Sequence, residues 1–177
     1  MTYTRHYDSP LGGILLAADE EGLTGLWFDG QKYFARTLPK EYAESETPVL
    51  CEAKRWLDIY FSGREPDFTP PLHPVGSAFQ QVVWALLLEI PYGETTTYGT
   101  LARKLAEKQD LTHMSAQAVG GAVGHNDISL IIPCHRVVGA RDSLTGYADG
   151  VDKKIKLLEL ERADMKSFFV PKKGTAL

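Results

Sequence analysis

Short apolar runs separated by turn signals occupy the first 30 residues. Apolar and β-branched residues concentrate at 3–7, 14–18 and 23–28, and the segments between them, 8–13 and 19–22, are rich in Asp, Gly, Ser and Pro. Runs of this length bounded by turn residues are typical of β-strands. The opening of the chain is therefore predicted to be a three-stranded β-meander.

A helical period replaces this pattern between residues 47 and 61. The apolar positions recur three and four residues apart, which predicts an amphipathic helix with Thr47 as its N-cap and Gly63 as its stop; they are Val49, Leu50, Ala53, Trp56, Leu57, Tyr60 and Phe61. Four prolines follow within 66–74, a composition typical of a linker. We expect a first domain over 1–75, a second over 76–166 and a tail over 167–177.

Four further helices are predicted in the second half. They cover 78–88, 98–106, 116–124 and 151–160, and the first three begin after the cap residues Ser77, Thr97 and Ser115. In the last helix, apolar residues lie on one side and Lys153, Lys154 and Lys156 on the other. This arrangement predicts a solvated lysine face.

The helix over 116–124 consists almost entirely of small residues. Three of them are glycines, Gly120, Gly121 and Gly124, and each costs a helix about 1 kcal/mol relative to alanine. Close approach of another backbone is the expected reason. A helix, a turn and a small-residue helix are typical of a helix-turn-helix that lies on DNA, although an ordinary helix hairpin has the same pattern.

Composition and charge limit the classes of function. The chain has 177 residues, of which 44% are apolar, and a net charge of −4, so no global positive field drives nucleic-acid binding. Residues 1–75 carry 7 basic and 12 acidic residues, whereas 76–177 carry 12 and 11, which leaves the second half near neutral. If that half binds DNA, the salt dependence is expected to be shallow.

The cellular compartment of the protein is indicated by three features that the sequence lacks. It has no apolar run of transmembrane length and no signal-peptide order at its N-terminus. Only two cysteines, Cys51 and Cys134, are present, so a disulfide scaffold is not expected. We expect a cytoplasmic protein with free thiols, in which Cys51 is a spectator.

Cys134 lies in the most informative segment of the chain. Residues 128–132 form an apolar, β-branched run that predicts a buried strand leading into Ile132-Pro133-Cys134-His135-Arg136-Val137-Val138. An imidazole or guanidinium beside a thiol is the usual means of activating it as a nucleophile, although many lone cysteines are structural. On an extended backbone, the side chains of Cys134 and His135 would point to opposite faces, so direct contact between them is not expected.

Together these segments resemble the O6-alkylguanine-DNA alkyltransferase family. The matching residues are Pro91-Tyr92-Gly93-Glu94 with Thr97-Tyr98, Ala118-Val119-Gly120-Gly121-Ala122, Asn126, Ile131 through Gly139 around Pro133-Cys134-His135-Arg136, Gly146-Tyr147, Lys154, Leu157-Leu158 and Glu161. The resemblance is dense over 77–162 and loose in the N-terminal meander. It implies an α/β N-terminal domain of ribonuclease-H-like shape and a mainly α C-terminal domain with a helix-turn-helix of the winged-helix-like kind.

The resemblance also implies an activity, DNA repair by irreversible alkyl transfer. Double-stranded DNA is bound through the minor groove, the damaged guanine is flipped out, and the alkyl group on its O6 (or on O4 of thymine) passes to Cys134. One protein molecule is consumed per lesion. From the sequence itself we expect no metal, because Cys134 and the five scattered histidines offer no paired ligand spacing, and we expect no cofactor, no membrane contact and a monomer.

Five residues receive catalytic roles from the resemblance: Cys134, His135, Glu161, Tyr98 and Asn126. Cys134 is the acceptor and must be thiolate-like. A water bridges it to His135, which Glu161 holds and favours in its protonated form. Tyr98 donates to the leaving guanine, and Asn126 organises the turn before the cysteine.

Six residues are assigned to substrate binding by the same resemblance: Tyr147, Ala148, Gln117, Val138, Gly120 and Thr97. Gln117 stands where the family usually has an arginine, so it can fill the gap left by the flipped base but brings no charge. Asp149 stands where a glycine is usual. Arg136 is expected to make a structural ion pair and has no catalytic role.

Two other classes of function remain open from the sequence. A non-catalytic module that binds alkylated DNA would share the fold but lack the reactive cysteine, so Cys134 favours the enzyme. A cysteine hydrolase needs a direct Cys–His pair, and a redox enzyme favours a second cysteine nearby. Neither is expected from the spacing of Cys134, His135 and Cys51.

Overall fold

The computed structural model describes residues 1–144 and 150–171. It divides into two compact units. The first unit consists of Met1–Gly76 together with Asp127–Ile131, and the second of Ser77–Asn126 together with the chain from Ile132 onward. A segment from the second half of the sequence therefore belongs to the first unit.

A four-stranded sheet forms the first unit. Strands β1 (Thr2–Ser9), β2 (Gly12–Ala18) and β3 (Leu23–Phe28) pair antiparallel, which confirms the predicted meander. A short strand, β4 (Tyr42–Glu44), adds parallel to β1 and gives the order β3-β2-β1-β4. The sequence did not predict β4, because its three residues are exposed and carry no apolar pattern.

One helix, α1 (Pro48–Phe61), packs on this sheet. The Thr47 hydroxyl accepts a hydrogen bond from the Leu50 N–H at 3.3 Å, and Gly63 follows the helix with a φ of +86°. Both the cap and the stop are confirmed. An N-cap hydroxyl satisfies a backbone N–H that has no partner within the helix.

Asp127–Ile131 is held to the first unit by Asp127. Its carboxylate accepts from the Trp27 indole at 3.2 Å and from the Arg36 guanidinium at 2.6 Å, and its carbonyl accepts from the Leu26 N–H at 2.8 Å. The predicted strand over 128–132 is wrong. Only Ile128 makes a β-bridge, after which the chain turns through Leu130 at a φ of +70°. The run is apolar because it is buried, and burial alone does not distinguish a strand from a buried turn.

Four helices form most of the second unit: α2 (Ala78–Leu87), α3 (Tyr98–Lys108), α4 (Ala116–Gly124) and α5 (Val151–Leu160). All four were predicted, and the caps Ser77, Thr97 and Ser115 are confirmed. Ser77 also forms a reciprocal capping box with Gln80. The capping hydroxyls explain why helix starts were well predicted.

α4 packs on α2 and α3, as a helix-turn-helix requires. The Trp84 indole donates to the Ala122 carbonyl at 2.9 Å and fixes the inner face. The expected close backbone approach is not found at two of the three glycines. A Cβ built on Gly121 or Gly124 would meet no described atom within 4 Å apart from its chain neighbours and the backbone of its own helix, so the outer face of α4 is open at these two positions.

Two very short strands connect distant parts of the second unit. β5 (Thr96–Thr97) pairs parallel with β6 (Val137–Val138), so that Thr97 lies opposite Val138. The 3₁₀ turn Cys134–Arg136 comes directly before β6, and α3 begins directly after β5. This pairing brings the start of α3 to the cysteine segment.

The described part of the predicted tail is held by hydrogen bonds rather than frayed. The Leu144 N–H donates to the Phe169 carbonyl at 2.8 Å, and the Ser167 hydroxyl donates to the Asp142 carboxylate at 2.7 Å. Phe168 packs against the cluster of Val138, Leu144 and Leu158. Residues 172–177 lie outside the described residues.

Membrane insertion finds no support in the helices of this structure. Within residues 1–144 and 150–171, none of them combines the length and the apolar character that a bilayer crossing demands.

Lys154 contradicts the predicted lysine face of α5. Its side chain is fully buried, and Nζ donates to the Val137 carbonyl at 2.5 Å. Lys153 is half-buried and Lys156 is exposed. Burial lowers the pKa of Lys154 to about 8, although a negative charge on Cys134 opposes the shift.

Replacing Lys154 by methionine should change how stability depends on pH. Between pH 8 and 10.5 the unfolded chain keeps a proton on Lys154 that the folded chain has lost, so the wild-type free energy of unfolding rises across this window relative to Lys154→Met. A shift of this size corresponds to about 3 kcal/mol. Urea denaturation of both proteins at several pH values measures the difference. Lys156→Met, at an exposed site, should run parallel to wild type; parallel curves for Lys154→Met would contradict the prediction.

Candidate active site

Cys134 opens the 3₁₀ turn Cys134–Arg136 and is almost fully buried, with 7% of its surface exposed. Its N–H donates to the Ile132 carbonyl at 2.8 Å across the bend at Pro133. The extended backbone considered from the sequence for Cys134 and His135 is not found, because both residues lie in a 3₁₀ turn. Pro133 has no N–H to donate, and with a φ of −84° and a ψ of 66° it precedes the turn outside any strand.

Asn126 fixes the approach to the cysteine. Its buried side-chain amide donates to the Ile132 carbonyl at 2.8 Å and also hydrogen-bonds the sulfur of Cys134. A single amide thus shapes the turn and stabilises negative charge on the sulfur.

A carboxylate buried behind the turn holds two side chains at once. Glu161 Oε2 lies 2.5 Å from His135 Nε2, while Oε1 accepts from Arg136 Nε at 2.7 Å and from the Gly93 N–H at 3.2 Å. Burial alone would raise the pKa of Glu161, but His135 and Arg136 outweigh burial and hold that pKa far below its usual range. Glu161 is therefore ionised.

An ionised carboxylate only accepts hydrogen bonds, so His135 must donate to it from Nε2. In the neutral ring, Nδ1 then carries the lone pair and is the basic nitrogen. Burial lowers the pKa of His135 and outweighs the opposing charge of Glu161, so the ring is neutral near pH 7. The cluster thus contains a correctly oriented neutral base next to the cysteine in sequence.

The resting state of Cys134 differs from the expected thiolate. Burial raises the pKa of the thiol above its ordinary value, and the Asn126 amide and the charge of Lys154 offset this only in part. The resting sulfur carries its proton. Its conversion to a nucleophile therefore requires a base within the site.

Tyr98 is brought to the cysteine by the β5–β6 pairing. Its side chain is 1% exposed, and within residues 1–144 and 150–171 its hydroxyl has no hydrogen-bond partner. Burial raises the pKa of Tyr98, and a charge on Cys134 raises it further. A buried donor without a partner costs free energy, which is typical of a site that a ligand completes.

The remaining candidates fall outside this hydrogen-bonded cluster. Val138 is buried in β6, Thr97 caps α3, and on α4 Gln117 is exposed and Gly120 buried. Tyr147 and Ala148, together with Asp149, lie outside the described residues. The structure thus joins Cys134, His135, Glu161, Asn126 and Tyr98, and places the α4 residues elsewhere.

Sequence reasoning missed two contributors to the site. Lys154 was read as a solvated residue and the Gly93 N–H was not considered, yet one lies near the sulfur and the other binds Glu161. For Lys154 the signal was present, because it lies seven residues before Glu161 and two helical turns place both on one face. Among the described residues, no group of His, Cys, Asp and Glu side chains is arranged to hold a metal ion.

Comparison with known protein families accounts for nearly the whole chain. Residues 2–74 match the ribonuclease-like domain of 6-O-methylguanine DNA methyltransferase, and residues 78–163 match the DNA binding domain of the same family. Together these two matches assign both halves of the chain to one family.

Individual relatives agree with this assignment. A methylated-DNA–protein-cysteine methyltransferase of Methanosarcina acetivorans is 45% identical over 160 residues, which cover 90% of this chain and 97% of the relative. The protein of the same name from Haemophilus influenzae is 41% identical over 161 residues, covering 90% and 86%.

Solved structures give the same result. The O6-methylguanine methyltransferase of Mycobacterium tuberculosis superimposes with a TM-score of 0.76 at 41% identity, covering 92% of this chain and 93% of that one. M. tuberculosis OGT in complex with DNA gives 0.78 at 40% identity, covering 90% and 92%. With both halves matched and the relatives more than 30% identical along nearly their full length, this chain belongs to the 6-O-methylguanine DNA methyltransferase family.

Proposed function

We propose that this protein repairs alkylated double-stranded DNA by transferring an alkyl group from O6 of guanine, or O4 of thymine, irreversibly to Cys134. The observation that carries the proposal is the cluster around the turn Cys134–Arg136. It combines a buried thiol, a neutral imidazole oriented by an ionised carboxylate, and a buried hydroxyl donor. The relatives named for this activity support the same conclusion.

Activation of the thiol begins with His135. Nδ1, the basic nitrogen, takes the proton of Cys134 through a bridging water, because Nε2 is already committed to Glu161. Glu161 stabilises the imidazolium that forms, and Lys154 and Asn126 stabilise the thiolate. The imidazolium and the thiolate thus form only within the site, where the groups that stabilise each of them are already in place.

In the transfer step, the Sγ–C bond forms as the bond between the alkyl carbon and O6 breaks. The electron pair of the broken bond stays on guanine, and the Tyr98 hydroxyl donates to the resulting anion. The guanine anion then takes up one proton and the imidazolium of His135 releases one to the water of the site, so that both return to their neutral forms. The product at Cys134 is a neutral thioether, which water does not displace, so one protein molecule is consumed for each lesion.

DNA binding is assigned to the helix pair α3 and α4. Flipping a base out of the duplex costs a few kcal/mol, which a protein offsets by filling the gap from the minor groove. Gln117 is exposed on α4 and is assigned this role, while the open outer face at Gly121 and Gly124 permits close approach of the duplex.

The pocket for the flipped base is assigned to Tyr147 and Ala148, with Thr97, Gly120 and Val138 in supporting positions. We further propose that the protein acts as a monomer in the cytoplasm, where thiols stay reduced. Both cysteines of the structure are free thiols.

Cys134→Ala should abolish alkyl transfer completely, because no other group replaces the sulfur. Intact-mass analysis after incubation with DNA that contains O6-methylguanine should show wild type heavier by one methylene group, located on Cys134 by peptide mapping. Cys51→Ala is the matched control: Cys51 is the exposed free cysteine, and its loss should leave the mass shift unchanged. Wild-type protein that remains unmodified after prolonged incubation would refute the proposed function.

Tyr98→Phe should have opposite effects on stability and on rate. Removing a buried hydroxyl that has no partner among residues 1–144 and 150–171 should leave the free energy of unfolding unchanged or higher. The transfer rate should fall by about 100-fold, because the leaving guanine loses a donor. Single-turnover kinetics and urea denaturation measure the two effects, with Tyr42→Phe on exposed β4 as the control. A wild-type rate in Tyr98→Phe would remove Tyr98 from the mechanism.

Gln117→Arg should strengthen DNA binding and steepen its salt dependence. One added phosphate contact changes the slope of log affinity against log salt by about 0.9. Fluorescence anisotropy over a range of salt concentrations measures this slope. Gln109→Arg places the same charge at the exposed end of α3 and serves as the control. Equal slopes for the two variants would show that position 117 does not contact the duplex.

A further inference from the structure

Arg136 is held more rigidly than a simple ion pair requires. Its side chain is buried, its Nε donates to Glu161 Oε1 at 2.7 Å, and its Nη1 donates to the Ile90 carbonyl at 2.8 Å. The guanidinium also lies over the Tyr92 ring, 5.7 Å from the centroid. These three contacts come from two segments of the second unit, the loop that contains Ile90 and Tyr92 and the C-terminal end of α5, and they fix both the position and the plane of the guanidinium.

The way Arg136 meets Glu161 is unusual for this pair of side chains. A guanidinium commonly binds both oxygens of a carboxylate through two parallel hydrogen bonds. Here Nε donates to Oε1, while Nη1 donates to the Ile90 carbonyl instead of to the carboxylate. The Gly93 N–H adds a second donor to Oε1, so Oε2 stays available for His135.

We propose that Arg136 is a positioning residue for alkyl transfer, which reserves Glu161 Oε2 for His135 Nε2 and thereby keeps Nδ1 as the atom that accepts the thiol proton. The proposal rests on the function proposed above and deepens it. Arg136 touches neither substrate nor sulfur in this account. It acts through Glu161, which it prevents from rotating and from offering both oxygens to one partner.

The positive charge of Arg136 also helps to keep His135 neutral, in addition to the hydrogen bonds that Arg136 makes. The ionisable groups that act on His135 are Glu161, the C-cap of α5, Lys154 within α5, and Arg136 from its own turn. Burial and the two cations lower the pKa of His135, whereas Glu161 raises it. Loss of Arg136 therefore favours the imidazolium, which has no lone pair with which to take a proton from the thiol.

The test compares Arg136→Met, which removes the charge and both donors, with Arg136→Lys, which keeps the charge but cannot serve Glu161 and Ile90 together. The first measurement is the single-turnover rate of methyl transfer from O6-methylguanine DNA between pH 5 and 9. In Arg136→Met the acid limb should move to higher pH, because loss of this cation raises the pKa of His135, and the maximal rate should fall about tenfold, because Oε2 is no longer reserved for Nε2. In Arg136→Lys the acid limb should stay in place while the maximal rate falls.

The second measurement is independent of alkyl transfer. Nitrogen NMR of ¹⁵N-histidine-labelled protein reports the tautomer and titration of the His135 ring. Wild type should show the Nε2–H tautomer, Arg136→Met an earlier protonation as pH falls, and Arg136→Lys a mixture of tautomers. If wild type transfers no alkyl group but the His135 signals change as expected, the proposed function fails and the positioning role stands.

If Arg136 only stabilises the fold, the rate and NMR measurements should give a different result. Arg136→Met would then be less stable in urea but would keep the wild-type acid limb and the wild-type His135 titration, and this result would overturn the proposal. If Arg136→Met does not fold, Arg136→Lys decides alone. A wild-type rate together with a pure Nε2–H tautomer in that variant would show that dividing the Glu161 oxygens is unnecessary.

Discussion

The buried carboxylate of Glu161 is the constraint on which the site depends. An ionised group is expensive to bury unless several donors surround it, and here His135, Arg136 and the Gly93 N–H supply them. Because these donors come from two separate segments, the loop at Gly93 and the turn Cys134–Arg136, their convergence on Glu161 also fixes the turn that begins at Cys134. The orientation of the imidazole, its tautomer and the position of the thiol all follow from one carboxylate being fully satisfied.

A protonated, buried thiol suits a protein that is used once. A permanently exposed thiolate reacts with any available electrophile, and each such reaction would consume a molecule. Burial raises the pKa of Cys134 and keeps the sulfur in its less reactive form. His135 removes the proton inside the site, where Asn126 and Lys154 stabilise the product. The sulfur of Cys134 is therefore reactive only when the substrate occupies the site, and not at all times.

Much of the fold was predictable because the signals that specify it are local. Helix starts were found from capping hydroxyls such as Ser77 and Thr97, and the N-terminal strands from apolar runs between turn residues. Prediction failed for residues that are buried by contacts with segments distant in the sequence. The run 128–132 was mistaken for a strand, and Lys154 was placed in solvent because isolated lysines on a helix usually lie there.

The sequence by itself determined which reactive groups the protein has. It contains the motif around Cys134, the family resemblance that this motif carries, and the candidates His135, Glu161, Tyr98 and Asn126. Only the tertiary structure decided how they are joined. The β5–β6 pairing, the division of the Glu161 oxygens and the protonated state of the thiol all arise from contacts between residues far apart in the chain. Distances and desolvation are properties of the folded molecule, and no local pattern of residue types specifies them.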